Sequence, residues 1–452
     1  MKNVLQRLFN VRREEALPVG LAVLFFFCVL TALMVLRPAR EALGMQRGIE
    51  AVRWLFIGTA VVTLLVNPLF GWLVSRFPRL QFISATYLFF AGSLLAFYLI
   101  MVLAPGAIGV TTGEVFYVWF SVFNLFATML FWALMADRFT LEQSKRFFGV
   151  ISVGGTCGAI FGPWLASLLA RPLGTPALLL ISVAFLLLAL AAAWGVARLK
   201  PHQTPSRSGG SAEAARAVDE RSRIGGSAWE GLRAVFRSRY LLGIAAYAVV
   251  TAVMATFIYF TRLQMVAALG QGLDQRTTLF AQIDMITQIA TLVLQALIAG
   301  RLMKRVGVPV TMALLPFTTA LGFVGLTVVG TLAALIVFEA FFRAVQRAFM
   351  RPARETLYTV VAREDKYKSK AFIDTFVYRG GDVLGAQLEG LLGRLAMGLV
   401  ALTSVAVPLA LVWAALAVWL GRAQQRIATS AGWTAAAPGI VIPAQAGIQK
   451  KA

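Results

Sequence analysis

Twelve stretches of this chain are apolar for close to twenty residues or more, at 17–36, 54–74, 81–103, 115–136, 147–170, 174–197, 241–260, 278–300, 309–330, 331–350, 371–393 and 397–420. A helix needs about 20 apolar residues to cross roughly 30 Å of hydrocarbon, so each is long enough to span a bilayer. A chain that is 59% hydrophobic and 14% charged is far from the ~45–50% apolar share of soluble domains. Lipid leaves no partner for a bare backbone amide, which favours helices throughout. The expectation is an all-α membrane protein with 12 transmembrane helices. The basic start (Lys2, Arg7, Arg12, Arg13) superficially resembles a signal peptide, but the apolar run behind it is too long for one, so it reads as a retained first helix.

Forty-two Lys and Arg against 20 Asp and Glu give a net charge of +22. In a polytopic chain this excess reads as loops held inside by the positive-inside bias and by anionic lipid, not as a nucleic-acid surface. With the N-terminus inside, 31 of the basic residues fall on the cytoplasmic side and 8 on the outer side, with Arg343, Arg347 and Arg379 within spans. That asymmetry places both termini in the cytoplasm of a bacterial inner membrane. Half of the outer basic residues, Arg37, Arg40, Arg47 and Arg53, share one loop. Cys28 and Cys157 lie in apolar spans and the one histidine, His202, lies in a polar linker, so no disulfide, metal site or cofactor is expected. No phosphate-cradling glycine loop, paired histidines or GxSxG occurs, and no enzyme activity is expected.

The spans repeat in two sets of six at an offset of about 225 residues. Arg37 then falls on Arg262, Gly71, Leu73 and Arg76 match Gly300, Leu302 and Arg305, and Ser144–Lys145 match Ser369–Lys370. Such parallel duplication resembles the major-facilitator plan, with a binding site between pseudo-symmetric halves. The domains are then 1–197, a cytoplasmic linker 198–240 rich in Ser, Gly and Arg, 241–421, and a disordered tail 422–452.

Charge inside a membrane-length helix is expensive and marks a partner or a pathway. Arg37, Arg40 and Arg53, with Arg262 as second-half counterpart, suit bidentate contact with phosphate or carboxylate, or else anchor helix ends to headgroups; Pro38, read as breaking the first helix, favours a cavity mouth. Glu339, Arg343 and Arg347 recur every fourth residue on one face, either lining a cavity or forming an internal ladder that Asp374 and Asp382 complete. Arg379 with Asp382 reads as a gating pair or a packed pair. Asp284 reads as a proton-coupling carboxylate or as the partner of Arg262 or Arg276. Gly154, Gly158 and Gly162 form a close-packing ridge, partly copied at Gly381 and Gly385; most such ridges only pack, though rocking halves need smooth contacts.

The runs Leu36–Glu41 (LRPARE), Phe131–Asp137 with Ser144–Arg146, and Arg351–Tyr358 with Lys368–Asp374 resemble the nucleotide transporter family, the ATP/ADP translocases of plastids and obligate intracellular bacteria. That resemblance implies a monomeric antiporter of the inner membrane, moving a nucleotide or other phosphorylated anion, with Arg53 and Lys370 standing where the exchangers use lysines. The exchangers' acidic residues in the fourth and seventh helices have no counterpart: 115–136 carries no carboxylate beyond Glu114 at its edge, and 241–260 carries none. Two other readings stand beside it. One is a proton-coupled carrier of another organic anion using Asp284 or Asp382. The other is a transport-inactive membrane module that recruits partners through its basic loop.

The orientation has a direct check. A cysteine placed at Ser208 should resist an impermeant thiol reagent in intact cells and one at Gly109 should react; labelling at Ser208 alone would invert the topology.

Overall fold

The structure is a computed structural model that describes residues 15–76, 79–198, 228–394, 398–430, 433–437 and 440–443. Helices dominate it: α1 (Ala16–Gly44), α2 (Ile49–Arg76), α3 (Arg79–Leu103), α4 (Ala107–Arg138), α5 (Leu141–Leu173), α6 (Ala177–Arg198), α7 (Ala228–Arg237) and α8 (Arg239–Leu269). A helical run α9 (Leu273–Val329) follows, then α10 (Leu332–Val345), α11 (Arg351–Leu357), α12 (Arg363–Phe372), α13 (Tyr378–Arg394) and α14 (Gly398–Ser430). Among the described residues ten helices are long and apolar enough to cross a membrane. The tenth and eleventh expected spans are built differently. Each joins an α-helix to a π-helical turn, Gln346–Met350 after α10 and Ile373–Val377 before α13.

The local reasons are visible in the residues. Thr140 and Gln143 cap each other's backbone at the start of α5, satisfying amides the helix leaves open. Gly307 breaks α9 into two limbs: its φ of 75° is left-handed, and Pro309 follows. Pro38 does not break α1, contrary to expectation. The helix continues through it to Gly44, with Leu36, Ala39 and Leu43 buried around it. In lipid the chain gains nothing by leaving the helix, since every freed amide would need another partner. Two further expectations shift at the end of the chain. Helix α14 runs on to Ser430 through Ala- and Gln-rich sequence, and a hairpin of Trp433–Ala437 and Ile440–Pro443 follows where a disordered tail was expected from 422.

The chain forms two compact units, Met1–Ser208 with Leu263–Gln288, and Gly209–Arg262 with Ile289–Ala452. The boundary therefore differs from the sequence halves: the ends of α8 and α9 nearest their connection belong with the first unit. In that unit α1 is central and packs on α4, α5 and α6. Phe26 stacks on Phe131 with centroids 4.1 Å apart, and Ser182 donates to the Ala32 carbonyl at 2.9 Å. The glycine ridge of α5 lies against α1. A methyl at Gly154 or Gly158 would meet the carbonyl oxygens of Val23 and Phe27, and one at Gly162 would come within 2.8 Å of Met34 Cβ.

The second unit repeats this notch between α13 and α8. A methyl at Gly381 would lie 2.7 Å from Ala252 Cβ, and one at Gly385 would lie 2.9 Å from Thr256 Cβ. Tyr247 donates to the Met312 carbonyl and its ring lies 5.5 Å from that of Trp413. Helix α7 packs on α12.

Overpacking of this kind costs about 1–3 kcal/mol. Gly158→Ala should therefore lower the thermal midpoint of the purified protein by several degrees, whereas Gly149→Ala, with open space around it, should leave it unchanged. Equal midpoints would show that the ridge tolerates a side chain.

Candidate functional site

Of the four arginines expected to share one outer loop, Arg37, Arg40 and Arg53 sit on helices and Arg47 in the turn between α1 and α2, each beside an acid. Arg37 and Arg40 belong to the last turns of α1 and Arg53 to the start of α2. Arg37 Nε lies 3.6 Å from Asp284 Oδ2, and that carboxylate is 1% exposed. Arg40 pairs with Glu41 at 2.9 Å and lies 3.6 Å over the ring of Tyr117. Arg47 bonds Glu114 and Thr111, and Arg53 bonds Glu50 one turn away. Among the described contacts Arg37, Arg40 and Arg53 meet three different carboxylates, Asp284, Glu41 and Glu50. Asp284 thus has Arg37 as a partner. Arg276 donates to the Gly270 carbonyl.

Arg262 lies in the second unit, 1% exposed, with Nη1 3.5 Å from Glu339 Oε1. Arg343 bonds the same oxygen from one helical turn further along. A single carboxylate of α10 thus joins two guanidiniums from different helices. Arg347 falls in the π turn that follows α10. The acids expected to complete this ladder have other partners. Asp374 pairs with Arg354 at 2.9 Å, and Asp382 with Arg379 at 3.4 Å. Lys370 bonds Glu355. Gly154 and Gly158 lie in the α1–α5 contact described above.

Several paired groups carried no signal in the sequence strong enough to single them out. Arg146 holds buried Glu15 at 2.9 Å, fixing the start of α5 to the start of α1. Asp274 accepts from both the amide and the hydroxyl of Thr175 at 2.6 Å, and Thr175 lies 2.8 Å from Thr277. Arg354, Tyr358 and Tyr378 come together around Asp374. A cue did exist for them: Arg354 and Tyr358 are spaced i, i+4, as are Asp374 and Tyr378. A groove of about 670 Å³ runs along α14 past Trp419, Arg422 and Arg426, but the rest of its lining is alanine, valine and isoleucine and it touches none of these pairs. Among the described residues no group of His, Cys, Asp and Glu is arranged to hold a metal.

Residues 19–386 match the sequence profile of the Major Facilitator Superfamily. Compared with curated proteins, the chain matches none. Three solved structures show the breadth of its fold likeness. An auto-inhibited POT family peptide transporter aligns with a TM-score of 0.59 at 15% identity, covering 91% of this chain and 96% of that one. A bacterial homologue of the human lysosomal transporter Spinster gives 0.56 at 13%, covering 91% and 97%. The nucleoside transporter NupG gives 0.54 at 13%, covering 91% and 99%.

Removing one partner from a buried ion pair costs about 3–5 kcal/mol, because the other charge stays behind. Glu339→Ala should therefore destabilise the protein more than Glu50→Ala, whose carboxylate is half exposed, as read by thermal unfolding in detergent. Equal effects would mean that Arg262 and Arg343 do not depend on Glu339.

Proposed function

The chain belongs to the Major Facilitator Superfamily, and on that premise we propose that it carries an anionic, phosphorylated solute by alternating access. Membership indicates a multi-pass membrane protein and a secondary transporter of a small molecule rather than an enzyme. The anionic character rests on the Glu339 cluster. A carboxylate held by two guanidiniums occupies the geometry that a solute's own oxyanion would take, because arginine matches carboxylate and phosphate alike. Glu339 is then a resident stand-in. An arriving anion takes over one arginine while Glu339 keeps the other, so neither guanidinium is stripped of a partner during exchange. On release, Glu339 closes on both again. We read it as a monomer of the inner membrane, and the loop charges support both termini lying inside.

Resemblance to the ATP/ADP translocases at 36–41, 131–146 and 351–374 supports a nucleotide as the solute. A second reading, a smaller organic anion coupled to a proton at Asp284 or Asp382, is favoured by the lack of carboxylates in 115–136 and 241–260. Thr251 and Thr256 in the latter can hydrogen-bond, but they cannot balance the charge of a polyanion's counterions.

Counterflow in proteoliposomes separates these. Internal unlabelled solute should drive saturable uptake of a labelled anion from a panel of ATP, nucleoside monophosphate, inorganic phosphate and dicarboxylate, with smaller anions preferred over strict ATP/ADP exchange. Arg343→Ala should weaken that uptake roughly tenfold to a hundredfold, as expected for a charge-assisted contact of ~1.5–3 kcal/mol. Uptake of neutral solutes only, or unchanged anion uptake in Arg343→Ala, would overturn the proposal.

A further inference from the structure

The connection after α10 holds a second set of donors that the transport reading does not use. Helix α11 ends in a 3-10 turn at Tyr358–Val360. That end is fixed from two sides. Gln424 of α14 donates to the Thr356 carbonyl at 2.8 Å, and Tyr240 of α8 donates to the Leu357 carbonyl at 2.9 Å. Arg354 and Tyr358, one turn apart, are thereby held toward Asp374 in the π turn and Tyr378 beyond it. The Arg354 Cζ lies 5.3 Å from the Tyr378 ring centroid, and Lys370 Nζ lies 6.0 Å from that of Tyr358.

Three features mark this cluster as a binding site rather than a packed ion pair. Tyr358 is 0% exposed, yet its hydroxyl has no hydrogen-bond partner. Arg354 Nε likewise has no acceptor, and Nη1, although 2.9 Å from Asp374 Oδ1, is not aligned to bond it. Asp374 itself is 36% exposed, so it stands on the open side of the cluster and can swing away. Burial pushes the Tyr358 phenol well above its ordinary range, so it remains a donor at neutral pH. Burial works against the charge of Arg354, but Tyr378 and Asp374 beside it outweigh that and raise its pKa, so it stays cationic. Glu355, the remaining acid nearby, accepts from Lys370 through Oε2 and lies 3.8 Å from Arg354 Nη2 through Oε1, which leaves Nε and Nη1 of Arg354 without an acceptor.

Every group left over is a donor, so the ligand must be an acceptor, and a negative one. We propose that Arg354 and Tyr358 form an oxyanion site that takes a phosphoryl group, which displaces Asp374 from Arg354 and lies against the ring of Tyr378. Three N–H and O–H donors on two side chains suit a group that offers three oxygens. The π turn at Ile373–Val377 gives Asp374 its position, and such turns recur where helices carry function. This site stands independently of the Glu339 cluster. The phosphoryl group comes either from free phosphate or from a phospholipid headgroup.

Both sources can be tested on the full chain in nanodiscs. Radiolabelled inorganic phosphate is titrated onto protein in phosphatidylcholine discs, while native mass spectrometry measures phosphatidylglycerol retained from mixed discs. Saturable binding in either arm is expected, and the arm identifies the source. Tyr358→Phe removes only the hydroxyl, so it should weaken binding about tenfold with unchanged thermal unfolding. Asp374→Asn should strengthen binding by removing the competitor, and in an Arg343→Ala background, where the transport cluster is weakened, the component sensitive to Tyr358→Phe should remain. Absence of saturable binding in both arms, or binding indifferent to Tyr358→Phe and Asp374→Asn, would overturn the inference. Binding lost in Arg343→Ala but kept in Tyr358→Phe would also overturn it, while leaving the transport reading intact.

Discussion

A guanidinium withdrawn from water is tolerated only beside a carboxylate, and that requirement arranges much of what surrounds the helices of this protein. Arg37 meets Asp284, Arg262 and Arg343 meet Glu339, Arg354 meets Asp374, and Arg146 meets Glu15. Most of these contacts join different helices, so each fixes the depth and rotation of one helix against another. Apolar packing between lipid-facing helices has no such preference, because a leucine is as comfortable against lipid as against protein. The pairs are therefore what sets register. The cost is that each pair must be broken and remade if its helices separate, and an anion that can replace one member lowers that cost.

Close approach is the complementary device. The α5 ridge and its counterpart in α13 place glycine where a neighbouring backbone passes, so two helices touch with no side chain between them. Dispersion across such a contact is strong because the atoms are fixed and many. The same arrangement in both units is the structural trace of the duplication read from the sequence.

The fold was legible in the sequence because hydropathy measures the property that lipid selects. Span positions, the duplication and the glycine ridges all follow from residue type alone. Partners were not legible, since Asp284 carries no mark of which neighbouring helix will face it; Arg37 was as reachable from the sequence as Arg262 or Arg276. The break assigned to Pro38 failed because burial of Leu36, Ala39 and Leu43 outweighs one lost hydrogen bond. The π turns at Gln346–Met350 and Ile373–Val377 were announced by no residue pattern. Arg354 and Tyr358 entered only as part of a run that carries a family resemblance, because residue type does not say that a tyrosine among basic residues is buried; the packing does.

The hold that Tyr240 and Gln424 keep on the end of α11 changes how the connecting segment behaves in time. Surface loops open at almost no free energy, and their amides exchange with solvent nearly freely. Here the carbonyls of Thr356 and Leu357 are capped by side chains from the first and last long helices of the second unit. The segment can loosen only when α8 or α14 releases it, so its opening is a sub-global event that takes a helix end with it. Kinetically the connection belongs to the bundle, not to the surface it runs along.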